Sequence, residues 1–498
     1  MILKWLLINH QEMKPMKKIQ SLRAIFDTPM HRRGFLLGSL ALPLTACGGG
    51  GGGGSDSTPA QTTARISLAE TQGAHLSNSF IGLSYEKGRI NSTFFNAQNI
   101  ALINLFKQLG QGVLRIGGNS VDKSSWNGFD PTVTKLMPSH VDALAGFLEA
   151  TGWTAIYGIN MANNSASNAA QEASYAAQKL GSSLMSFEIG NEPDLYVKNK
   201  YRPQGWSYNN YLSEWKNLAA AINQAAPSIP LTGPAVADDI YGYAVPFALD
   251  TGSQINTLTS HYYRNDANSE RPTPSVDVLL QPDPNFIRNI QALTQSAASL
   301  KNGFRLAEFN SFVNQGVSGV SDTYASALWV LDLMFTCALN HGVGVNLHGG
   351  QQEAFAAITD INGVVQQARP VFYGLKMFAQ LAQGASRAVN LSLSDNGINF
   401  SAYGVMRLDN GQNILLINKD ASRSVQTTID FPPSINKISR WDLTGPSLSS
   451  TSGVLLNGFP INPDGSWAGA SSAKQMNTNN GTLSLAIPPF TAILLQSN

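Results

Sequence analysis

Between residues 80 and 384, short apolar runs of strand length alternate with longer stretches in which apolar residues recur every three or four positions. Eight such runs stand out: 80–85, 112–116, 153–160, 184–189, 229–234, 255–263, 303–309 and 342–347. The segments between them have helical periodicity, as in 322–340 with its Ala, Leu, Trp and Met residues. Repeated strand–helix units of this kind predict a parallel sheet. Eight of them in about 300 residues suit a closed barrel. The predicted class is therefore α/β, a (β/α)8 TIM barrel over 80–384. The middles of the runs are apolar, as a filled barrel requires.

After residue 385 the helical period stops. Short alternating runs punctuated by Asn-Gly turns, at Asn410-Gly411 and Asn480-Gly481, predict an antiparallel β-sandwich over 385–498. Residues 62–79 also read as extended and are expected to join that sandwich. Ahead of them, 48–61 is a Gly/Ser/Thr-rich linker opening with seven glycines.

Charge separates the N-terminus from the rest. The chain of 498 residues has 33 Lys/Arg and 32 Asp/Glu, a net +1. Seven of those cations and only two of the acids fall in 1–46, so the remainder carries a net charge of −4. Nothing basic enough for nucleic-acid binding remains. The early cations include Arg32-Arg33-Gly34-Phe35-Leu36-Leu37, which resembles a twin-arginine export motif and runs into an apolar stretch ending Leu44-Thr45-Ala46-Cys47. That ending is similar to a bacterial lipoprotein box. It implies an export signal over 1–47, lipidation of Cys47, and a lipid-anchored protein of the cell envelope, facing the periplasm or the cell surface. Cys337 is then left without a disulfide partner and is expected to be a buried small hydrophobe.

A TIM barrel carries its chemistry at the C-terminal ends of its strands. Glu86, Asn119, Asn160, Asn191, Glu192, His261, Tyr263, Glu308 and Asn346 collect there. Glu192 ends the fourth run and Glu308 the seventh, which brings two carboxyl groups to one rim. Such a pair about 5–5.5 Å apart can cleave a glycosidic bond with retention, one protonating the leaving oxygen and the other attacking the anomeric carbon. Glu192 and Glu308 are the candidates for this pair, and the resemblance described next implies Glu192 as general acid/base and Glu308 as nucleophile. Glu188 points the other way along its strand and is expected in an ion pair. His341 and His348 are not spaced with carboxylates as a metal set, so no metal and no cofactor are expected. The Gly117-Gly118 pair is too short for a phosphate-binding loop.

The motifs narrow the resemblance. Phe-Glu-Ile-Gly-Asn-Glu-Pro-Asp-Leu-Tyr around Glu192, the 116-residue interval to Glu308, and Ala-Glu-Phe-Asn-Ser-Phe followed by the run from Ser321 to Asp332 are similar to glycoside hydrolase family 79. This is the heparanase and β-glucuronidase family, within the 4/7 superfamily of retaining glycosidases. The likeness extends through GLSYE, LRIGGNS, YGIN, TGP, SHYY and VNLHGG. It implies a substrate that is a uronate-containing oligosaccharide, polysaccharide or glycoconjugate.

The resemblance also implies roles. Tyr263, preferred to Tyr262 by strand alternation, donates to the nucleophile, and His261 supports the site. Asn191 binds the sugar 2-hydroxyl, while Glu86 and Asn119 contact other hydroxyls. The backbone N–H groups of Asn314 and Gln315 receive the uronate carboxylate. Two family tyrosines are replaced by Val313 and Phe355, which keeps open a neutral-sugar activity of the xylosidase or arabinofuranosidase type. A non-catalytic carbohydrate-binding lipoprotein is the alternative from another class. Trp441 and Trp467 are expected to pack in the sandwich rather than to bind glycan.

Overall fold

In the computed structural model, residues 62–68, 73–91, 93–394 and 397–497 are described. The export signal, Cys47 and the glycine linker lie outside them. Eight strands close into a parallel barrel: β1 (Gly82–Glu86), β2 (Val113–Gly117), β3 (Thr154–Ile159), β4 (Leu184–Ile189), β5 (Leu231–Val236), β6 (Thr257–Asp266), β7 (Phe304–Val313) and β8 (Gly342–His348). Each pairs with its sequence neighbours, and β8 closes onto β1 through Leu347 opposite Leu83 and His348 opposite Ser84. Every strand overlaps one of the eight apolar runs.

The interior differs from a barrel filled with branched aliphatic residues. Leu83, Tyr85, Leu114, Ile116, Phe187, Ile189 and Leu306 are buried in the main apolar core with helix residues such as Leu102, Phe106 and Phe147. The residues alternating with them, Ser84, Arg115, Glu188, Thr259 and Arg305, are buried as well, so the barrel axis is polar. Asn346 belongs to this interior and not to the rim. Its side chain accepts from Arg305 Nε (2.6 Å) and donates to the Val113 carbonyl (2.8 Å) at the start of β2. Gly82 makes room for it, since a Cβ there would stand 2.4 Å from the Asn346 amide.

Most of the remaining strands form two sheets. Thr62–Leu68 runs parallel to Val425–Asp430 and antiparallel to Leu391–Leu393 in the smaller one. In the larger one, Gln412–Asn418 lies between Phe400–Arg407 and Thr491–Ser497. Alternation along this central strand serves two cores. Ile414 and Leu416 pack against Ile66, Val425 and Ile429 of the smaller sheet, while Leu415 and Ile417 join the barrel core. The helix Tyr324–Leu339 is apolar on nearly every side for the same reason: it lies between β7 and β8 in sequence and also meets the larger sheet, Tyr403 stacking on Phe335 at 4.5 Å. Cys337 lies buried within this helix as a free thiol. Trp441 is buried and stacks at 6.0 Å on Trp467.

Two strand pairs escape the sequence pattern, and one of them, Ser124–Trp126 with Thr134–Leu136, lies between β2 and β3. After β8 a hairpin, Ile358–Ile361 with Val364–Ala368, turns through Asn362 and Gly363, both at positive φ (51° and 85°). Its Asn-Gly signal is the one used to place hairpins in the sandwich.

Candidate active site

β4 ends in a turn that aims Glu192 across the barrel mouth. Gly190 has φ 79° and Glu192 itself φ 52°, a region that non-glycine residues occupy at some cost. Neighbouring groups hold the turn. Glu192 N–H donates to the Ala235 carbonyl near the end of β5 (2.9 Å). The buried Asp122 carboxylate accepts from Asn191 N–H (3.1 Å) and Tyr196 Oη (2.7 Å). Asp194 accepts the N–H groups of Ala237 (3.0 Å), Asp238 (2.9 Å) and Asp239 (3.1 Å), which ties the loop after β4 to the loop after β5.

Glu308, on β7, lies opposite. One carboxylate oxygen of Glu192, one of Glu308 and a ring nitrogen of His261 all lie within 4.8 Å of one another. Arg115 organises this cluster from inside the barrel. Its Nε donates to Glu188 (2.6 Å), Nη1 to Glu308 Oε2 (2.8 Å), and Nη2 to Asn191 Oδ1 (2.9 Å). Tyr263 Oη donates to the other Glu308 oxygen (2.7 Å). Tyr262 turns away and donates to Asp283 (3.0 Å).

The two carboxyls have opposite proton affinities. Burial raises the pKa of Glu192, and the Glu308 charge adds to that against the opposing His261 contact. Burial also works to raise Glu308, but His348, His261, Arg115 and the Tyr263 hydroxyl together outweigh it and hold Glu308 well below the usual carboxylate range. On His261, burial disfavours charge while the carboxylates favour it, for a net upward shift. When His261 is neutral its tautomer is determined. Arg115 Nη2 stands 3.2 Å from Nε2 and a guanidinium can only donate, so Nδ1 carries the hydrogen and donates to Glu192 Oε1 (3.0 Å). That leaves Oε2 as the Glu192 oxygen able to hold the acid proton. The same logic orients Asn191: with Oδ1 taken by Arg115, its Nδ2 is left as a donor.

By distance alone, Glu192, His261 and Glu308 could hold an ion. The donor set does not suit one, because a cation there would lie against the Arg115 guanidinium that already touches Glu308 and His261.

Other residues singled out from the sequence are placed as follows. Glu86 ends β1 and accepts the N–H groups of Asn119 (3.2 Å) and Ser120 (2.6 Å); Asn119 is exposed. Gly118, at φ 71°, explains the glycine pair, since a Cβ there would strike the Glu86 carboxyl at 2.6 Å. Asn160, just past the end of β3, is buried and donates to the Ser124 carbonyl. Asn314 and Gln315 are exposed with positive φ (65° and 71°), and their N–H groups have no partner among the described residues. Their loop adjoins buried Phe355, whose ring lies 6.3 Å from that of Tyr263. Val313 is exposed before it.

Sequence reasoning passes over Arg115 and Asp122 and weighs His348 only as a metal ligand. His348 Nδ1 stands 3.7 Å from Glu308 and its Nε2 3.8 Å from Glu86. A lone arginine inside the apolar run of β2 is the signal that marks Arg115, because a charge is buried there only with partners.

No protein-family model matches the chain. It is 26% identical over 285 residues to a β-glucuronidase of Aspergillus niger, covering 50% of this chain and 51% of that protein. It is 24% identical over 208 residues to a β-glucuronidase of Neurospora crassa, covering 36% and 35% respectively. The chain thus spans about half the length, or less, of the curated relatives it matches. Among solved structures, a 4-O-α-L-rhamnosyl-β-D-glucuronidase from Fusarium oxysporum 12S superposes with a TM-score of 0.73 at 18% identity, covering 86% of this chain and 99% of that one. A GH51 arabinofuranosidase from Xanthomonas axonopodis pv. citri gives 0.65 at 14%, covering 88% and 100%. The chain is therefore similar in sequence, over half its length, to β-glucuronidases, and it shares its barrel fold with structures of glycoside-cleaving enzymes.

Proposed function

We propose that this protein is a retaining glycoside hydrolase of the 4/7 type, similar to family 79, that cleaves β-linked glucuronides by double displacement. One observation carries the reading: two carboxyl groups within 4.8 Å, one whose proton affinity is raised by burial and one held ionised, at the C-terminal mouth of a barrel. The separation favours direct attack over the wider gap, about 6.5–9.5 Å, that an inverting enzyme needs for water. Glu308 attacks the anomeric carbon while the Glu192 proton passes to the departing glycosidic oxygen, leaving a glycosyl ester. Water then attacks the same carbon, gives its proton to Glu192, and frees the Glu308 carboxylate. Asn191 Nδ2 is placed to donate to the sugar 2-hydroxyl, a bond that strengthens as positive charge develops on the ring.

The names of the sequence relatives support a glucuronide as substrate, and the unpartnered N–H groups of Asn314 and Gln315 offer a place for its carboxylate. A second reading, turnover of a neutral xyloside or arabinofuranoside, is favoured by Val313 and Phe355, which bring no hydroxyl to that carboxylate. Nitrophenyl β-glucuronide, β-xyloside and α-arabinofuranoside decide between them. We expect turnover of the glucuronide, with the first-formed sugar retaining the β configuration by NMR, and its loss in Glu308→Ala. Turnover of a neutral sugar alone would establish the second reading.

We further propose that Cys47 anchors the protein to the cell envelope. Cys47→Ala is expected to move it from the membrane to the soluble fraction.

A further inference from the structure

The Arg115 guanidinium is fully engaged. Its Nε donates to Glu188 Oε2 (2.6 Å), Nη1 to Glu308 Oε2 (2.8 Å) and Ser84 Oγ (3.3 Å), and Nη2 to Asn191 Oδ1 (2.9 Å) and His261 Nε2 (3.2 Å). These contacts account for all its N–H groups, so no donor is left with which it could turn elsewhere. Gly117 leaves it the space, since a Cβ there would stand 2.4 Å from the guanidinium carbon.

The two carboxylates on Arg115 differ in what they can do. Glu308 faces the mouth and loses its charge when it attacks a sugar. Glu188 lies in the barrel axis with its side chain 1% exposed, and it takes no part in bond making. Thr259 Oγ1 on β6 donates to its other oxygen (2.8 Å) and accepts the N–H of Ala235 on β5 (3.1 Å), which fixes the Glu188 carboxylate against Arg115.

Charge gives this pair a consequence for the reaction. Before attack, Arg115 lies between two anions, and the field of Glu188 partly offsets the guanidinium at Glu308. Glu308 thereby keeps more of its power to attack. Once Glu308 has become an ester, Arg115 still has an anion at 2.6 Å and is not left as an uncompensated buried charge. In the second step Glu308 recovers its charge, and there Glu188 opposes the reaction by sharing the cation that stabilises the departing carboxylate. The two steps depend on Glu188 in opposite senses.

We propose that Glu188 is a positioning residue for the nucleophile: it holds Arg115 and offsets its charge, which favours formation of the glycosyl ester at Glu308 and slows its hydrolysis. The inference rests on the double-displacement reading above.

The probe is 2-deoxy-2-fluoro-β-glucuronyl fluoride, whose ester with the nucleophile forms and hydrolyses slowly enough to follow both steps. Loss of activity reports ester formation, and its return after removal of excess probe reports hydrolysis. Glu188→Gln has the same size and can keep both contacts, its amide oxygen accepting from Arg115 Nε and its nitrogen donating to Thr259 Oγ1. We expect inactivation about ten-fold slower than in the parent and reactivation about three-fold or more faster. Glu188→Asp, which keeps the charge at a greater distance from Arg115, should move both rates the same way by smaller factors, and it carries the test if the glutamine variant does not fold. A residue that merely filled the barrel axis would slow both steps together. Unchanged or faster inactivation, or reactivation no faster than in the parent, overturns the proposal while leaving the glucuronidase reading intact. A parent enzyme that neither reacts with the probe nor turns over nitrophenyl β-glucuronide overturns both.

Discussion

Glu192 and Glu308 are the same residue type on one rim, and their surroundings drive their proton affinities apart. Glu308 is met by Arg115, His348, His261 and the Tyr263 hydroxyl, whereas Glu192 has burial and one imidazole. If Glu192 is the acid, Glu192→Gln should lose about 10²–10⁴-fold in kcat on glycosides with poor leaving groups and much less on nitrophenyl glycosides, which need little protonation. Equal losses on both would remove the acid role. The same substitution has a consequence for stability. A carboxyl whose folded pKa lies above its unfolded value stabilises the fold less and less as pH rises from the unfolded pKa through the folded one. At pH 7 Glu192→Gln should therefore be more stable than the parent by roughly 1 kcal/mol. The difference should vanish below about pH 4, where the unfolded chain is protonated too. Thermal unfolding at the two pH values checks the sign. At this scale Glu192 and Glu308 could be singled out from the sequence because they end corresponding runs. Arg115 could not, because its partners Glu188, Asn191, His261 and Glu308 are brought to it only by barrel closure.

The turn after β4 is where an element imposes geometry on a side chain. Gly190 adopts φ 79°, and a Cβ there would stand 2.7 Å from Tyr196 Oη, the group that donates to Asp122. Gly190→Ala should therefore destabilise the protein by about 1–3 kcal/mol. It should also lower kcat, because the shifted turn carries Asn191 and Glu192 with it. Chemical denaturation and steady-state kinetics on one preparation measure both effects, and an unchanged kcat would mean that the turn does not position the acid. The strands themselves could be read from apolar run length. The hairpin after β8 could not: its short strands alternate weakly, and Ile361 and Val364 are exposed, so only the Asn-Gly turn announces it.

Barrel and sandwich are joined by a polar contact as well as by the shared core. Lys419, just past the strand Gln412–Asn418 of the larger sheet, pairs with Asp332 of the helix Tyr324–Leu339, which also accepts from Tyr403 Oη (2.8 Å). Lys419 is 5% exposed on its side chain, so removing its partner leaves an uncompensated charge. Asp332→Ala should cost about 3–5 kcal/mol. If the two parts unfold cooperatively, urea denaturation will show one transition at lower midpoint; a separate early loss of the sandwich would show that the junction is dispensable to the barrel.

What the sequence determined alone was local and periodic: eight strand–helix units, a change of period near residue 385, and two glutamates at equivalent strand ends. These follow from side-chain alternation and backbone propensity, which act between near neighbours. The tertiary structure decided which alternate residues enter the barrel axis, why that axis is charged, and which carboxyl has the higher proton affinity. Those outcomes depend on groups distant in sequence sharing one buried volume, where desolvation and Coulomb terms are large and no local pattern records them.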